Sequence, residues 1–184
     1  MAIRKIARMG HPVLRRTALP VKDPTAPEIR ALIEDMLETV VDAQGAGLAA
    51  PQVHETRRIV LYQTLQQDEG EPPPPELHGF KVLINPEIEI LTGEIEEDWE
   101  GCLSVPGLRG LVPRYTHIHY SGVDHHGRLV ECDAEGFHAR VIQHECDHLD
   151  GFLYPQRMVD LQKLVFESEW RHWLKSDGEP HRDA

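Results

Sequence analysis

The chain has 184 residues, enough for one domain whose core closes without disulfide staples. Its 31 acidic against 19 basic side chains leave a formal net charge of −12, which argues against nucleic-acid binding through clustered Lys and Arg. The three scattered cysteines (Cys102, Cys132, Cys146) do not form an oxidised framework, and no apolar run reaches the roughly 18–20 residues of a membrane span. A reducing, cytoplasmic setting without membrane attachment is therefore expected.

The first 22 residues lack acids and carry Arg4, Lys5, Arg8, Arg15, Arg16 and Lys22. They read as a basic segment of the folded domain, with a turn at Gly10-His11-Pro12 and packing from Val13-Leu14. Thr25-Ala26-Pro27-Glu28 has the form of a capping box with Pro just inside the helix. Ile29, Leu32, Ile33, Met36, Leu37, Val40 and Val41 then form one apolar stripe, which predicts a helix to about Ala43 with Gly45 near its C-cap. Arg58–Gln63 and Phe80–Asn85 read as strands, and Glu87–Leu91 as a half-exposed third. Between the first two, Gln66–His78 contains four consecutive prolines, Pro72 to Pro75, and reads as a surface loop.

His117–Val123 and Arg128–Cys132 flank Asp124-His125-His126-Gly127, which predicts a β-hairpin. Phe137–Leu149 reads as a second helix, with Phe137, Val141, His144 and His148 on one face and Asp150-Gly151 closing it. A third helix is expected over Asp160–Lys175, and Ser176–Ala184 as a polar, frayed tail. No repeat or linker divides the chain, so residues 1–184 are read as a single domain.

The chemistry concentrates in His144-Glu145-Cys146-Asp147-His148. Histidines at i and i+4 share a helix face and can grip one metal ion, and the adjacent glutamate can act as a general base on water. A catalytic site needs a third protein ligand and an open position. The downstream histidine of HExxHxxGxxH proteases is absent after His148, and Glu167 and Glu169 read as solvated charge on the third helix. Cys102, in Glu100-Gly101-Cys102-Leu103-Ser104, is the better candidate, with a buried free thiol as its plainer alternative. Gly45-Ala46-Gly47-Leu48-Ala49-Ala50-Pro51-Gln52 lets backbone approach a ligand closely, and Gln52 offers an amide donor. Cys146 fills the variable slot of the motif and reads as packing.

Taken in order, residues 45–52, 100–104 and 144–148 resemble the three signature motifs of the bacterial-type peptide deformylases. The likeness runs from the Lys5–Arg16 segment to Met158. It implies an α+β fold of small, mostly antiparallel sheets around a central metal-binding helix, with one N-terminal and one C-terminal helix. It implies that Cys102, His144 and His148 bind one divalent metal, Fe(II) first, with Zn, Ni or Co as alternatives. Glu145 would move the proton of the attacking water, and Gln52 with the backbone N–H of Leu103 would hold the oxyanion. Gly47 would pair with the substrate backbone, Arg109 would contact the peptide downstream of methionine, and Glu100 with Arg114 would brace the Cys102 loop. Val141 and Phe137 would line a methionine pocket. The implied substrate is the formyl-methionyl end of a nascent peptide and the implied product is formate. Transient ribosome association is also implied, but the basic C-terminal helix used for it elsewhere in the family sums to zero charge here. A zincin-like endopeptidase, or an inactive module that kept the fold, are the competing readings.

Overall fold

The computed structural model describes residues 2–63 and 77–176. The tetraproline loop at 72–75 and the tail at 177–184 lie outside the described residues. Ser176 ends a helix.

Helix α1, Pro27–Asp42, starts with Pro at its first position, where a missing N–H costs nothing. The expected capping box does not form. Asp23 Oδ1 takes both the Thr25 amide (2.9 Å) and the Thr25 hydroxyl (2.7 Å), so Ala26 becomes the N-cap without a side-chain bond. At the other end Ala43, not Gly45, occupies the C-cap.

Five strands form one antiparallel sheet: β1 (Gly47–Ala49), β2 (Ile59–Tyr62), β3 (Lys81–Ile90), β6 (His117–Val123) and β7 (Leu129–Glu135), in that spatial order. Three more form a second antiparallel sheet in the order β4 (Ile95–Cys102), β5 (Val105–Tyr115) and β8 (Leu164–Phe166). Strand β2 shows why its sequence is apolar throughout. Ile59 and Leu61 face α1, joining Ile29, Ile33, Met36 and Val40, while Val60 and Tyr62 face helix α2, Gly136–Leu149. Helix α2 packs Ala139, Ile142, Cys146 and Leu149 against that sheet and also contacts β5. It lies between the two sheets, as expected of the metal helix.

Three expectations need correction. The two strands read on either side of residue 86 are one strand, β3, with an irregularity between Ile84 and Glu87. Asn85 sits there in the left-handed region (φ 54°), which Asn tolerates, and its amide makes two bonds to the Val21 backbone. The expected single helix from Asp160 is instead three pieces: a 3-10 turn at Leu161–Lys163 capped by Asp160, strand β8, and helix α3, Glu167–Ser176. Leu164-Val165-Phe166 is a β-favouring run, and it pairs with Leu108–Gly110 of β5. Finally, the residues around Cys102, which the sequence pattern assigns to no element, belong to a long hairpin of β4 and β5. Its prolines, Pro106 and Pro113, fall outside the stretch that β8 covers. Among the described residues no helix is long and apolar enough to cross a membrane.

Candidate metal centre and active site

The end of β4 delivers Cys102 to the buried face of α2. Ligand atoms of Cys102, His144 and His148 all lie within 4.8 Å of one another, and Cys102 Sγ is 3.3 Å from His148 Nε2. The two imidazoles stand edge to face at 4.9 Å between centroids. Three converging donors of one thiol and two imidazoles fit a divalent transition metal that keeps an open position. Burial opposes charge on the Cys102 thiol, yet the neighbouring His148 and His144 more than offset it and hold the thiol well below its ordinary value. The thiolate is the form that ligates metals.

A buried polar network aims His144. Its Nδ1 donates to Glu100 Oε2 at 2.8 Å, which leaves Nε2 as the ligand nitrogen. Glu100 also accepts a two-pronged bond from Arg114, Nε at 2.9 Å and Nη2 at 3.0 Å, and a third from Arg140 Nη1 at 3.0 Å. Arg114 continues to Asp147 at 2.6 Å, and Asp147 receives both Nε and Nη2 of Arg157. Burial would raise the Glu100 carboxyl, but the bonds and charges of His144 and Arg114 keep it well below the carboxylate range. The expected Glu100–Arg114 pair is therefore present, and its reach includes the candidate metal ligand His144 as well as the Cys102 loop. Arg140, Asp147 and Arg157 escaped sequence reasoning. A usable signal existed: Arg140 and Asp147 sit within the metal helix, where charges near an apolar face must be paired.

Glu145 is the opposite case. It is 5% exposed, and its Oε2 is buried with no hydrogen-bond partner among the described residues. Burial dominates, and its carboxyl is pushed up to about 7. Gly47 faces it so closely that a Cβ there would lie 2.8 Å from the Glu145 carboxyl carbon. Gln52 is fixed by its Oε1, which accepts from the Ala49 amide at 2.8 Å, so its NH2 points to Ser104 Oγ (3.2 Å) and Cys102 Sγ (3.5 Å).

A cavity of about 620 Å³ opens over this constellation. Gly45, Gly47, Gln52, Cys102, Leu103, His144 and Glu145 lie on its wall, with Phe137 and Val141 beside them and Arg109 and Glu167 also lining it. Phe137 is 44% exposed, so it belongs to the cavity rim and not to the core. Cys146 is buried in the apolar cluster against the sheet, and burial raises its thiol. All the site residues expected from sequence, Arg109 included, are thus gathered around one cavity or its supporting network.

The polypeptide deformylase family model matches residues 3–164. Peptide deformylase 2 of Bordetella bronchiseptica is 55% identical over 164 residues, covering 89% of this chain and 92% of the relative. Among solved structures, the peptide deformylase of Thermotoga maritima superposes with a TM-score of 0.76 at 36% identity, covering 87% of this chain and all of that one. A Met-Ala-Ser-bound class I type b peptide deformylase of Acinetobacter baumannii does so with a TM-score of 0.75 at 32% identity, covering 85% and 99%. The chain belongs to the peptide deformylases, metal-dependent hydrolases that remove the N-formyl group from the formyl-methionine end of newly made polypeptides and release formate.

Proposed function

We propose that the reaction is carried by Glu145, Gln52 and the Leu103 backbone N–H around a metal held by Cys102, His144 and His148, with residues 1–184 acting as one catalytic domain. The observation that carries this reading is the juxtaposition of a three-ligand cluster with a buried, unpartnered carboxyl oxygen on Glu145. A divalent ion bound there supplies Lewis acidity, which polarises a carbonyl and makes a water acidic enough to attack near neutral pH.

The chain's own groups do the rest. Glu145 Oε2 accepts the proton of the attacking water and returns it to the departing amine nitrogen, and a carboxyl held up near neutrality is matched to both tasks. Gln52 Nε2 and the Leu103 N–H donate to the oxygen that gains charge as the formyl carbon becomes tetrahedral. Ala49 fixes the plane of the Gln52 amide, and the N–H that now reaches Cys102 Sγ at 3.5 Å is the one that turns to that oxygen. Strand β1 lies at the edge of its sheet, paired on one side with β2. Its Gly47 end borders the cavity, where an extended peptide can add as a further strand. Val141 and Phe137 receive the methionine side chain, and Arg109 contacts the peptide beyond it.

The substrate is the formyl-methionyl end of a nascent chain, a reading supported by the tripeptide-bound Acinetobacter baumannii relative. The mixed sulfur and nitrogen donors suit Fe(II), Zn, Ni or Co alike, and the family likeness puts Fe(II) first. The enzyme works in the bacterial cytoplasm, where formylated chains emerge. Anaerobic purification with metal analysis, paired with formate release from formyl-methionyl peptides, tests the reading. One metal per chain, with formate release lost on chelation, is expected. Full turnover after chelation, or metal retained by Cys102→Ala at wild-type affinity, would overturn it.

A further inference from the structure

The downstream wall of the cavity holds a charge pair that the proposed chemistry leaves unused. Arg109 lies in β5 opposite Gly101, next to the ligand Cys102, and Val165 of β8 lies opposite Arg109 on its other side. Glu167 follows directly at the start of α3 and lines the cavity with Arg109. Arg109 Nε and Nη2 donate to the same oxygen, Glu167 Oε1, at 3.1 and 2.8 Å. Its guanidinium also lies over the Trp170 ring, 4.7 Å from the centroid, and Trp170 packs edgewise on Trp99 of β4. Helix α3 thus holds Arg109 by edge and face and cancels its charge. Among the described residues nothing takes the second Glu167 oxygen, and the side chain is 56% exposed. The family match ends at residue 164, so Arg109 and Trp99 lie within it and Glu167 and Trp170 just beyond it.

Position sets what Glu167 can read. Strands lie about 4.8 Å apart, so two spacings put Glu167 about 10 Å from the Cys102 strand. An extended peptide advances about 3.3 Å per residue, which carries its third residue to about that distance from the formyl carbon. The charge presented there is the open side of a carboxylate.

We infer that Glu167 is a specificity-determining residue that favours nascent chains with Lys or Arg as the third residue and disfavours Asp or Glu. The inference rests on the substrate reading above and adds a residue to it. Arg109 alone would select the reverse, and Glu167 both masks that cation and supplies the opposite sign.

The test uses the metal-loaded enzyme and C-terminally amidated formyl-Met-Ala-Lys and formyl-Met-Ala-Glu, so that no terminal carboxylate confounds the charge. Because Arg109 neutralises most of the Glu167 charge, only the outward-facing carboxylate oxygen distinguishes the two peptides, which predicts a kcat/KM ratio of about twofold to threefold for Lys at low ionic strength, mostly in KM. The preference should shrink at about 1 M salt, where the screening length falls to about 3 Å. In Glu167→Gln the ratio should fall to about one or invert, because Arg109 is then unmasked. Glu167→Asp should keep the Lys preference and Glu167→Lys should invert it, which separates charge from any loosening of α3. Equal ratios in wild type and Glu167→Gln, with formate released from both peptides, would overturn the inference alone. No formate from either peptide would instead overturn the substrate reading beneath it.

Discussion

Glu100 and Glu145 are equally buried acids that both face His144, yet their hydrogen bonding and ionisation are opposite. Glu100 accepts from Arg114, Arg140 and His144, and those partners overcome burial to keep it ionised. Glu145 has no partner for Oε2, and burial holds its proton up to about neutral pH. One carboxylate is saturated and fixes geometry. The other is left unsatisfied at a cost in stability and is free to move a proton. Solvent exclusion is common to both, so the direction of the shift is set by whether the fold supplies hydrogen-bond partners to the carboxylate or withholds them.

The largest expected effect comes from breaking the unsatisfied member. Glu145→Gln should lower kcat by about 10³-fold, the scale of general acid–base catalysis, with the metal still bound. The same change should stabilise the chelator-treated protein at high pH. The Glu145 carboxyl has its folded value raised from 4.5 to about 7, so the folded state holds more protons than the unfolded one between those values. Its contribution to stability is therefore unfavourable above pH 7 and vanishes below pH 4.5. At about 1.4 kcal/mol per unit, Glu145→Gln should gain about 3 kcal/mol at alkaline pH and nothing in acid. Denaturant melts of both proteins at several pH values measure it, and a gain that grows toward acid would contradict the assignment.

Breaking the saturated member should act on stability first. Glu100→Gln removes the charge that faces Arg114 and Arg140 and leaves them buried beside a neutral amide, a loss of about 3–5 kcal/mol. It also frees His144 Nδ1 from its acceptor, so metal affinity should fall by about 10- to 100-fold. Chemical denaturation and competitive metal titration separate the two effects. A variant with wild-type stability and weakened metal binding would show that Asp147 suffices for Arg114, and the Val112 and Glu96 carbonyls for Arg140.

The two carboxylates were unequally legible. Glu145 lies inside a five-residue pattern on one helix, so its histidine neighbours follow from local geometry. Glu100 was linked to Arg114 only through family likeness, and its bonds to Arg140 and His144 span 40 and 44 residues. The fold divides the same way. The α1 stripe and the β6–β7 hairpin are local patterns and matched their expected places. The β4–β5–β8 sheet was hidden because Glu96, Glu97 and Asp98 give it an exposed acidic face, its prolines mimic turns, and β8 is defined only by a partner strand more than 50 residues away. The capping box at Thr25 failed because sequence pattern cannot show that Asp23 competes for the same hydroxyl.

Gly47 offers an intermediate test, since it leaves both acids in place and disturbs only one. A methyl group there would press on the Glu145 carboxylate and leave the Glu100 network untouched. Gly47→Ala should therefore cost about 10²-fold in kcat/KM through misplacement of the base, with stability nearly unchanged. Equal losses in activity and stability would mean that the residue supports packing in general and not the position of Glu145.

The smallest effect calibrates the comparison with an acid that is bonded and buried only shallowly, in a turn whose cationic partner is exposed. Asp124 Oδ1 accepts the amides of His126 (2.8 Å) and Arg128 (2.9 Å), and its Oδ2 accepts from Arg128 Nε (2.7 Å) in the β6–β7 turn. Desolvation would raise its carboxyl, but these bonds from Arg128 and His126 lower it below its ordinary 3.8. The shift resembles that of Glu100 in sign, without deep burial. Asp124→Asn keeps an oxygen for the two amides and loses only the exposed ion pair, so it should cost about 0.5 kcal/mol at pH 7, against about 1–2 kcal/mol for Asp124→Ala, which orphans the amides as well. Because the folded value is depressed, the advantage of the native Asp124 over its amide variant should be present above pH 3.8 and be lost as pH falls through the folded value. Thermal melts of the three proteins between neutral and strongly acid pH read this directly. A difference between acid and amide that persisted in strong acid would show that the turn depends on the shape of the side chain and not its charge, and would leave Glu100 as the only bonded acid in the comparison whose ionisation stabilises the fold.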